Sequence, residues 1–329
     1  MLKKALRPAL GVLVTVLLVL SGVHYLNNLL RPVDTDSPVN AVETFHRMPE
    51  NSLEVIGYGS SHMWRGMDAM EMYESYGIGA YNYGCNWQEL NTTLLFLKDS
   101  LRTQSPKVVV IDTFHVNTWK MDMDMDGEIY YTRAIPWFSG KIPYLRQCFG
   151  SNVQRYLSYF VPLAAFHENW VNLSGQSFRT PGQSGDNFFR SMGSEVSMGV
   201  TPVSLPDQSQ YAQEELYDGA VELLDEIVDI CRQRRIELVF VTIPWEGGWL
   251  YADAMESYAQ EKGCVYLNLF ADWQQTGLEE ATDFSDSGHL NQSGARKVAR
   301  YLGAYLKEHY DLSDMRTVEN NLWEQAAKG

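Results

Sequence analysis

Five short apolar runs, each closed by turn residues and separated by helix-period segments, constrain this chain most. They are Leu53–Gly59 (LEVIGYG), Ala80–Gly84 (AYNYG), Lys107–Thr113 (KVVVIDT), Ile236–Pro244 (IELVFVTIP) and Cys264–Phe270 (CVYLNLF). A continuous apolar run is buried on both faces, which a strand achieves in a parallel sheet covered by helices. The intervening segments Glu89–Leu101, Gln210–Arg235, Tyr251–Lys262 and Ser293–Tyr310 supply those helices. In the second, Leu216, Val221, Leu224, Ile227, Val228 and Cys231 recur near i, i+3, i+4 spacing. The alternation predicts an α/β fold, a three-layer sandwich around a five-stranded parallel sheet. In such sheets chemistry gathers at the carboxyl ends of the strands.

Two stretches fall outside the alternation. Residues 114–209, rich in Trp, Tyr, Phe, Gly and Ser, are too long for a plain crossover. They are expected as an insertion between the third and fourth strands, a lid or substrate wall. At the front, Lys3, Lys4 and Arg7 precede the almost wholly apolar run Ala9–Val23. Such a span crosses a bilayer with its basic end in the cytoplasm. Residues 1–30 are therefore expected as an uncleaved anchor, with a cleaved signal peptide as the rival; Ser21-Gly22-Val23-His24 is a poor small-x-small cleavage site. Either reading puts the rest outside the cytoplasm, at the cell surface or in the periplasm, and secreted if the segment is cleaved. Residues 31–50, with Pro32 and Pro38, read as a linker, 51–310 as the folded domain and 311–329 as a tail.

Charge narrows the function. There are 26 basic and 41 acidic residues, a formal net charge of −15, and the only charges among residues 1–30 are positive. The acidic body has no basic face for phosphates, so no nucleic-acid partner is expected. Broad electrostatic adhesion to an anionic membrane is disfavoured as well. Cys85, Cys148, Cys231 and Cys264 form no CxxC pair, which argues against zinc. An exported domain can pair four cysteines in three ways or keep them as buried thiols, and spacing does not choose. Asp122-Met123-Asp124-Met125-Asp126-Gly127 opens like a calcium loop, but its twelfth position is Arg133 where a bidentate acid is needed. An acidic solvated loop is the better reading, and no metal or cofactor is expected. Asn91, Asn172 and Asn291 head N-x-[ST] sequons, the last close to the candidate site described next.

The strand ends carry the chemistry. The first strand runs into Gly57-Tyr58-Gly59-Ser60-Ser61-His62, a Gly-rich turn that presents a serine beside backbone N–H groups. Such a serine is also a common helix N-cap. After the last strand comes Asp283-Phe284-Ser285-Asp286-Ser287-Gly288-His289-Leu290-Asn291-Gln292-Ser293-Gly294-Ala295. Asp286, three residues before His289, can orient the imidazole and stabilise its protonated form. Together the segments supply nucleophile, base and orienting acid in the order Ser…Asp…His.

This combination resembles the SGNH (GDSL-like) hydrolase family. Gly59-Ser60-Ser61 matches its first block, with Ser60 in place of the Asp of Gly-Asp-Ser, and Asp286-x-x-His289-Leu290-Asn291-x-x-Gly294 matches its C-terminal signature. The resemblance spans about residues 52–113 and 210–308. It implies a flavodoxin-like five-stranded sheet, Ser61 as nucleophile (Ser60 its rival), His289 as general base and Asp286 as its partner. It implies an oxyanion hole from Ser61 and the turn Asn82–Trp87, with Gly84 and Asn86 as candidates. The family's Gly-x-Asn-Asp is replaced by Asp112-Thr113-Phe114-His115-Val116-Asn117, which leaves Asn117 as the candidate side-chain donor. The anchor, the Gly-Ser-Ser turn and the insertion are similar to the teichoic-acid D-alanylation and alginate O-acetylation proteins. That likeness implies acyl transfer to, or removal from, an acylated glycan or cell-surface polymer, beside a membrane-bound O-acyltransferase. The alternative is a catalytically weak glycan-binding or scaffold subunit of such a complex. Trp119, Trp137 and Trp170 of the insertion either stack on sugars or form its own core.

Overall fold

The computed structural model describes residues 2–30, 38–116, 131–178 and 186–328. The five apolar runs form the strands β1 Val55–Tyr58, β2 Ala80–Asn82, β3 Val108–Asp112, β4 Glu237–Thr242 and β5 Val265–Asn268. All four pairings are parallel, in the order β2-β1-β3-β4-β5. Every residue of β1, β2 and β3 is buried, which is why these runs lack polar alternation.

The early helices are α1 Leu2–Leu29, α2 Pro38–Phe45, α3 Ser61–Gly66, α4 Ala69–Tyr76 and α5 Leu90–Ser100. On one face of the sheet α5 packs against the helix Asp218–Arg234, which buries Leu224, Ile227, Val228 and Cys231 of the predicted stripe. On the other, α4 packs against the helix Gln292–His309. The chain leaves β1 toward β2 and then crosses back to β3 on its far side. Such a reversal opens a crevice at the carboxyl ends of β1 and β3.

By contacts the chain forms two compact units, Met1–Ser37 with Phe149–Ser184, and Pro38–Cys148 with Gly185–Gly329. In the first, Leu10–Leu29 is the one span among the described residues long and apolar enough to cross a membrane. Of the insertion expected over 114–209, the described residues 149–178 fall in the first unit and 131–148 and 186–209 in the second.

Two boundaries need correction. The linker expected over 31–50 does not extend past Ser37: α2 buries Ala41, Val42 and Phe45, Phe45 stacks on Tyr83, and the Tyr81 hydroxyl donates to the Ala41 carbonyl at 2.7 Å. The tail expected over 311–329 also packs. Its helix Leu322–Lys328 buries Trp323, whose Nε1–H donates to the Ala80 carbonyl at 2.9 Å. These two segments flank β2, an edge strand whose open side otherwise invites pairing with another chain.

Candidate active site

The serine turn is built by close approach. Gly59 has φ +151°, and a Cβ there would lie 2.5 Å from the Asp112 Cβ. Only glycine lets the chain leave β1 so near the end of β3. Ser60 is the N-cap of α3: its Oγ accepts from the His62 N–H at 3.2 Å and donates to Asp112 Oδ2 at 2.9 Å. Its one proton committed, it can only accept from His62 Nδ1, 3.2 Å away. Ser60 is 1% exposed, and its hydroxyl is fully engaged in the cap. Burial pushes the Asp112 carboxyl up to about 7, against the hydrogen bonds from Ser60, Phe114 and Thr113 that pull it down. Ser61, the first residue of α3, is half-buried, and its Oγ lies 2.7 Å from His289 Nε2.

The opposite wall is a braced loop. Phe284 and Leu290 form an antiparallel bridge, and the Ser285 N–H donates to the His289 carbonyl at 2.9 Å. Asn291 caps the helix Gln292–His309 by accepting from the Gly294 N–H, while its Nδ2 donates to the Thr282 carbonyl at 2.7 Å. A Cβ on Gly294 would lie 2.4 Å from the Asp283 carbonyl oxygen, so the helix can start this close to the loop only with glycine. Within this frame His289 Nδ1 lies 2.8 and 3.0 Å from the two Asp286 oxygens. An ionised carboxylate only accepts, which assigns the ring proton to Nδ1 and leaves Nε2 as the acceptor facing Ser61. Partial burial pushes the Asp286 carboxyl up, but the Gly288 N–H, His289 and Arg65 together outweigh it and hold the group below its ordinary value. The Gly288 bond is 2.9 Å.

Two neighbours escaped the sequence reading. Arg65 Nη1 lies 3.8 Å from Asp286 Oδ2, and the guanidinium grips Glu195 at 2.7 and 3.0 Å. Its signal was positional, four residues after Ser61 on one helix, hence on the same face. His62 is buried and stacks between Phe114 (ring centroids 3.9 Å apart) and His289 (4.9 Å). Burial, then the charges of His289, His115 and Arg65, push its basicity far down and keep it neutral. A neutral His62 therefore sets no second imidazolium against the ring of His289.

The oxyanion side differs from expectation. The Gly84 N–H donates to Asn82 Oδ1 at 3.0 Å, so it is spent inside its own turn and not aimed at the serine. Asn82 is held in turn, its Nδ2 donating to the Met63 and Met67 carbonyls at 2.8 Å each. The Cys85 N–H donates to the Gly59 carbonyl at 3.0 Å and ties this turn to the serine turn. Asn86 follows it, half-buried. The Ser61 N–H sits at a helix start, where no intrahelical acceptor exists. Asn117, Trp119 and the acidic segment 122–130 lie outside the described residues.

The cysteines, the sequons and two insertion tryptophans can also be placed. No disulfide joins Cys85, Cys148, Cys231 or Cys264. Asn91 and Asn291 are buried, and the Asn291 amide is occupied, so neither is a glycan acceptor in the fold. Trp137 and Trp170 are exposed, which excludes them from a core. Among the described residues no group of three His, Cys, Asp or Glu side chains could hold a metal ion.

The chain matches no protein-family model and no curated protein. Among solved structures it is similar to a candidate lipolytic protein of the G-D-S-L family from Desulfitobacterium hafniense, at 11% identity and TM-score 0.38 over 77% of this chain and 99% of that one. A candidate acylhydrolase from Bacteroides fragilis is similar at 10% identity and TM-score 0.38, over 81% of this chain and 94% of that one. A GDSL-like lipase from Bacteroides thetaiotaomicron is similar at 10% identity and TM-score 0.38, over 84% of this chain and 100% of that one. These likenesses are too distant to define the site, whose chemistry rests on its own geometry.

Proposed function

We propose that the chain is a membrane-anchored, extracytoplasmic SGNH-type serine esterase or O-acyltransferase acting on acyl esters of a cell-surface glycan. The observation that carries this reading is the line Ser61 Oγ–His289 Nε2–Asp286, at 2.7 and 2.8 Å. A hydroxyl is a poor nucleophile until an adjacent base takes its proton, and an imidazole serves as that base best when a carboxylate fixes its tautomer. Ser61 Oγ attacks the ester carbonyl as His289 Nε2 takes its proton. Collapse of the tetrahedral intermediate expels the alkoxide, which takes the same proton, and leaves an acyl ester on Ser61. Water or a glycan hydroxyl then attacks that ester, giving up its proton to His289, and Ser61 Oγ recovers it on leaving. Water gives an esterase; an acceptor hydroxyl gives a transferase.

Asp112 supports the family reading in an unplanned way. Ser60 stands where Gly-Asp-Ser has its acid, yet β3 brings a carboxylate to within 2.9 Å of the Ser60 hydroxyl. The membrane anchor is supported by the span Leu10–Leu29 with Lys3, Lys4 and Arg7 before it. The glycan substrate and a membrane-bound O-acyltransferase partner follow from the resemblance to the polymer-acylating proteins.

The engaged Gly84 N–H favours a second reading, a scaffold or glycan-binding subunit with little turnover. One oxyanion hydrogen bond is worth roughly 3 kcal/mol of barrier. Hydrolysis of an acetyl ester reporter by the purified full chain separates the two. Activity lost in both Ser61→Ala and His289→Ala supports the enzyme; an inert wild type that also refuses a serine-directed probe supports the scaffold.

A further inference from the structure

The unit formed by Met1–Ser37 and Phe149–Ser184 carries a surface that the proposed chemistry does not use. Its helix Val153–Phe160 has two unlike faces. Tyr156 and Tyr159 turn inward and pack edge-on against Phe149. Val153, Leu157 and Phe160, spaced i, i+4 and i+7, form a separate stripe that is 79, 53 and 54% exposed. Further along the same segment Trp170 and Phe178 are 66 and 65% exposed. An apolar stripe of this kind costs free energy in water, and clustered examples mark interaction sites.

The position of the segment identifies the occupant. The Leu163 N–H donates to Asn27 Oδ1 at 2.7 Å, and Asn169 Nδ2 donates to the Leu30 carbonyl at 3.0 Å. Both acceptors belong to the last turn of the apolar span or the residue just past it. At about 1.5 Å of rise per residue, the two bonds fix the segment within one helical turn of where the span leaves the hydrocarbon. Trp170 directly follows the residue that bonds Leu30, at the depth where tryptophan collects at membrane–water boundaries. A short helix with an apolar stripe at that depth lies in the interface plane.

We propose that residues 153–178 form an interfacial foot, seated in the headgroup and upper acyl region of the outer leaflet, with Leu157, Phe160 and Trp170 inserted among the lipids. This rests on the anchor reading of α1. The contact is apolar, which fits a chain whose acidic body gives anionic lipid no electrostatic hold.

The test uses the full chain with Cys264→Ser, placed in phosphatidylcholine vesicles and carrying one environment-sensitive fluorophore on an introduced cysteine. The positions are Leu157→Cys and Trp170→Cys in the foot, Leu18→Cys in the anchor and Glu222→Cys on the exposed face of a helix in the other unit. The expected result is that spin-labelled lipid quenches the Leu157 and Trp170 labels at least twofold while aqueous iodide does not, with Glu222 showing the reverse. If those two labels respond to iodide as Glu222 does, the foot is wrong. If neither quencher reaches them, protein covers the surface and the lipid assignment is overturned. The Leu18 label separates the causes. Quenched by lipid, it upholds the anchor whatever the foot does; quenched only by iodide, it removes the anchor and the foot with it.

Discussion

The two walls of the candidate site are built to different degrees. On the base wall, Asp286, Gly288 and His289 are fixed by a β-bridge, a capped helix and a 2.9 Å bond from the Gly288 N–H to the Asp286 carboxylate, and His289 Nε2 faces the serine. On the oxyanion wall the Gly84 amide is consumed by Asn82, which is itself held by the Met63 and Met67 carbonyls. The difference teaches that forming the nucleophile and stabilising the intermediate are separate structural problems here. The first is solved by the loop of Asp286 and His289 set against the serine turn. The second needs an arrangement of the β2 turn in which Gly84 is released, or donors from Ser61 and Asn86.

The largest effects belong to the base wall and the serine it faces. Ser61→Ala and His289→Ala are each expected to lower kcat/KM on an ester reporter by about ten thousand-fold, because nucleophile and base act as a unit. The double variant should be little worse than either single one. A loss that multiplies across the two would break the claim that they share a proton.

Next in size is Asp112 beneath the turn. Burial raises its carboxyl from 3.8 to about 7. Between those values the folded chain keeps the proton and the unfolded chain does not, so stability falls as pH rises across that window. Above it the penalty is complete, up to about 4 kcal/mol. Asp112→Asn removes the charge and keeps an acceptor for Ser60. Its unfolding temperature should exceed that of the wild type at pH 8, with the gain shrinking toward pH 4. An equal shift at both pH values would show that Asp112 acts through packing.

Asn82→Ala sharpens the other wall. It removes one of two donors each from the Met63 carbonyl, which keeps the Met67 N–H, and the Met67 carbonyl, which keeps the Ser194 hydroxyl, and should destabilise the chain by about 1–3 kcal/mol, measured as a lowered thermal midpoint. The same change frees the Gly84 N–H. If kcat rises per folded molecule, Gly84 is a donor held in reserve; if it does not, Ser61 and Asn86 carry the oxyanion. Smallest is Arg65→Gln. A partly exposed charge 3.8 Å from Asp286 contributes under about 1 kcal/mol, so kcat/KM should fall about fivefold or less. A hundredfold loss would show that Arg65 touches substrate.

What could be read from the sequence follows the same division. Strands such as Val108–Asp112 announce themselves because burial on both faces demands unbroken Val and Ile. The base wall is legible because its geometry is local: two residues separate Asp286 from His289, and Asn291 and Gly294 lie in the same short stretch. The oxyanion wall is not, since which amide of Asn82–Trp87 is free depends on contacts with α3, some 20 residues earlier in the chain. Burial likewise distinguishes Ser60 from Ser61, two identical side chains in one turn, and only the approach of Asp112 from β3 decides it. The helices Pro38–Phe45 and Leu322–Lys328 read as linker and tail because their apolar stripes are short. Tyr81 and Trp323 show their place only in three dimensions.

The most direct test of the central claim is peptide mass analysis of the full chain, quenched within seconds of mixing with an activated acetyl ester. The account predicts one acetyl group on the peptide containing Ser60 and Ser61, located on Ser61 by fragmentation, and none in His289→Ala. An acetyl group on Ser60, or labelling of Ser61 that is unchanged without His289, would contradict it.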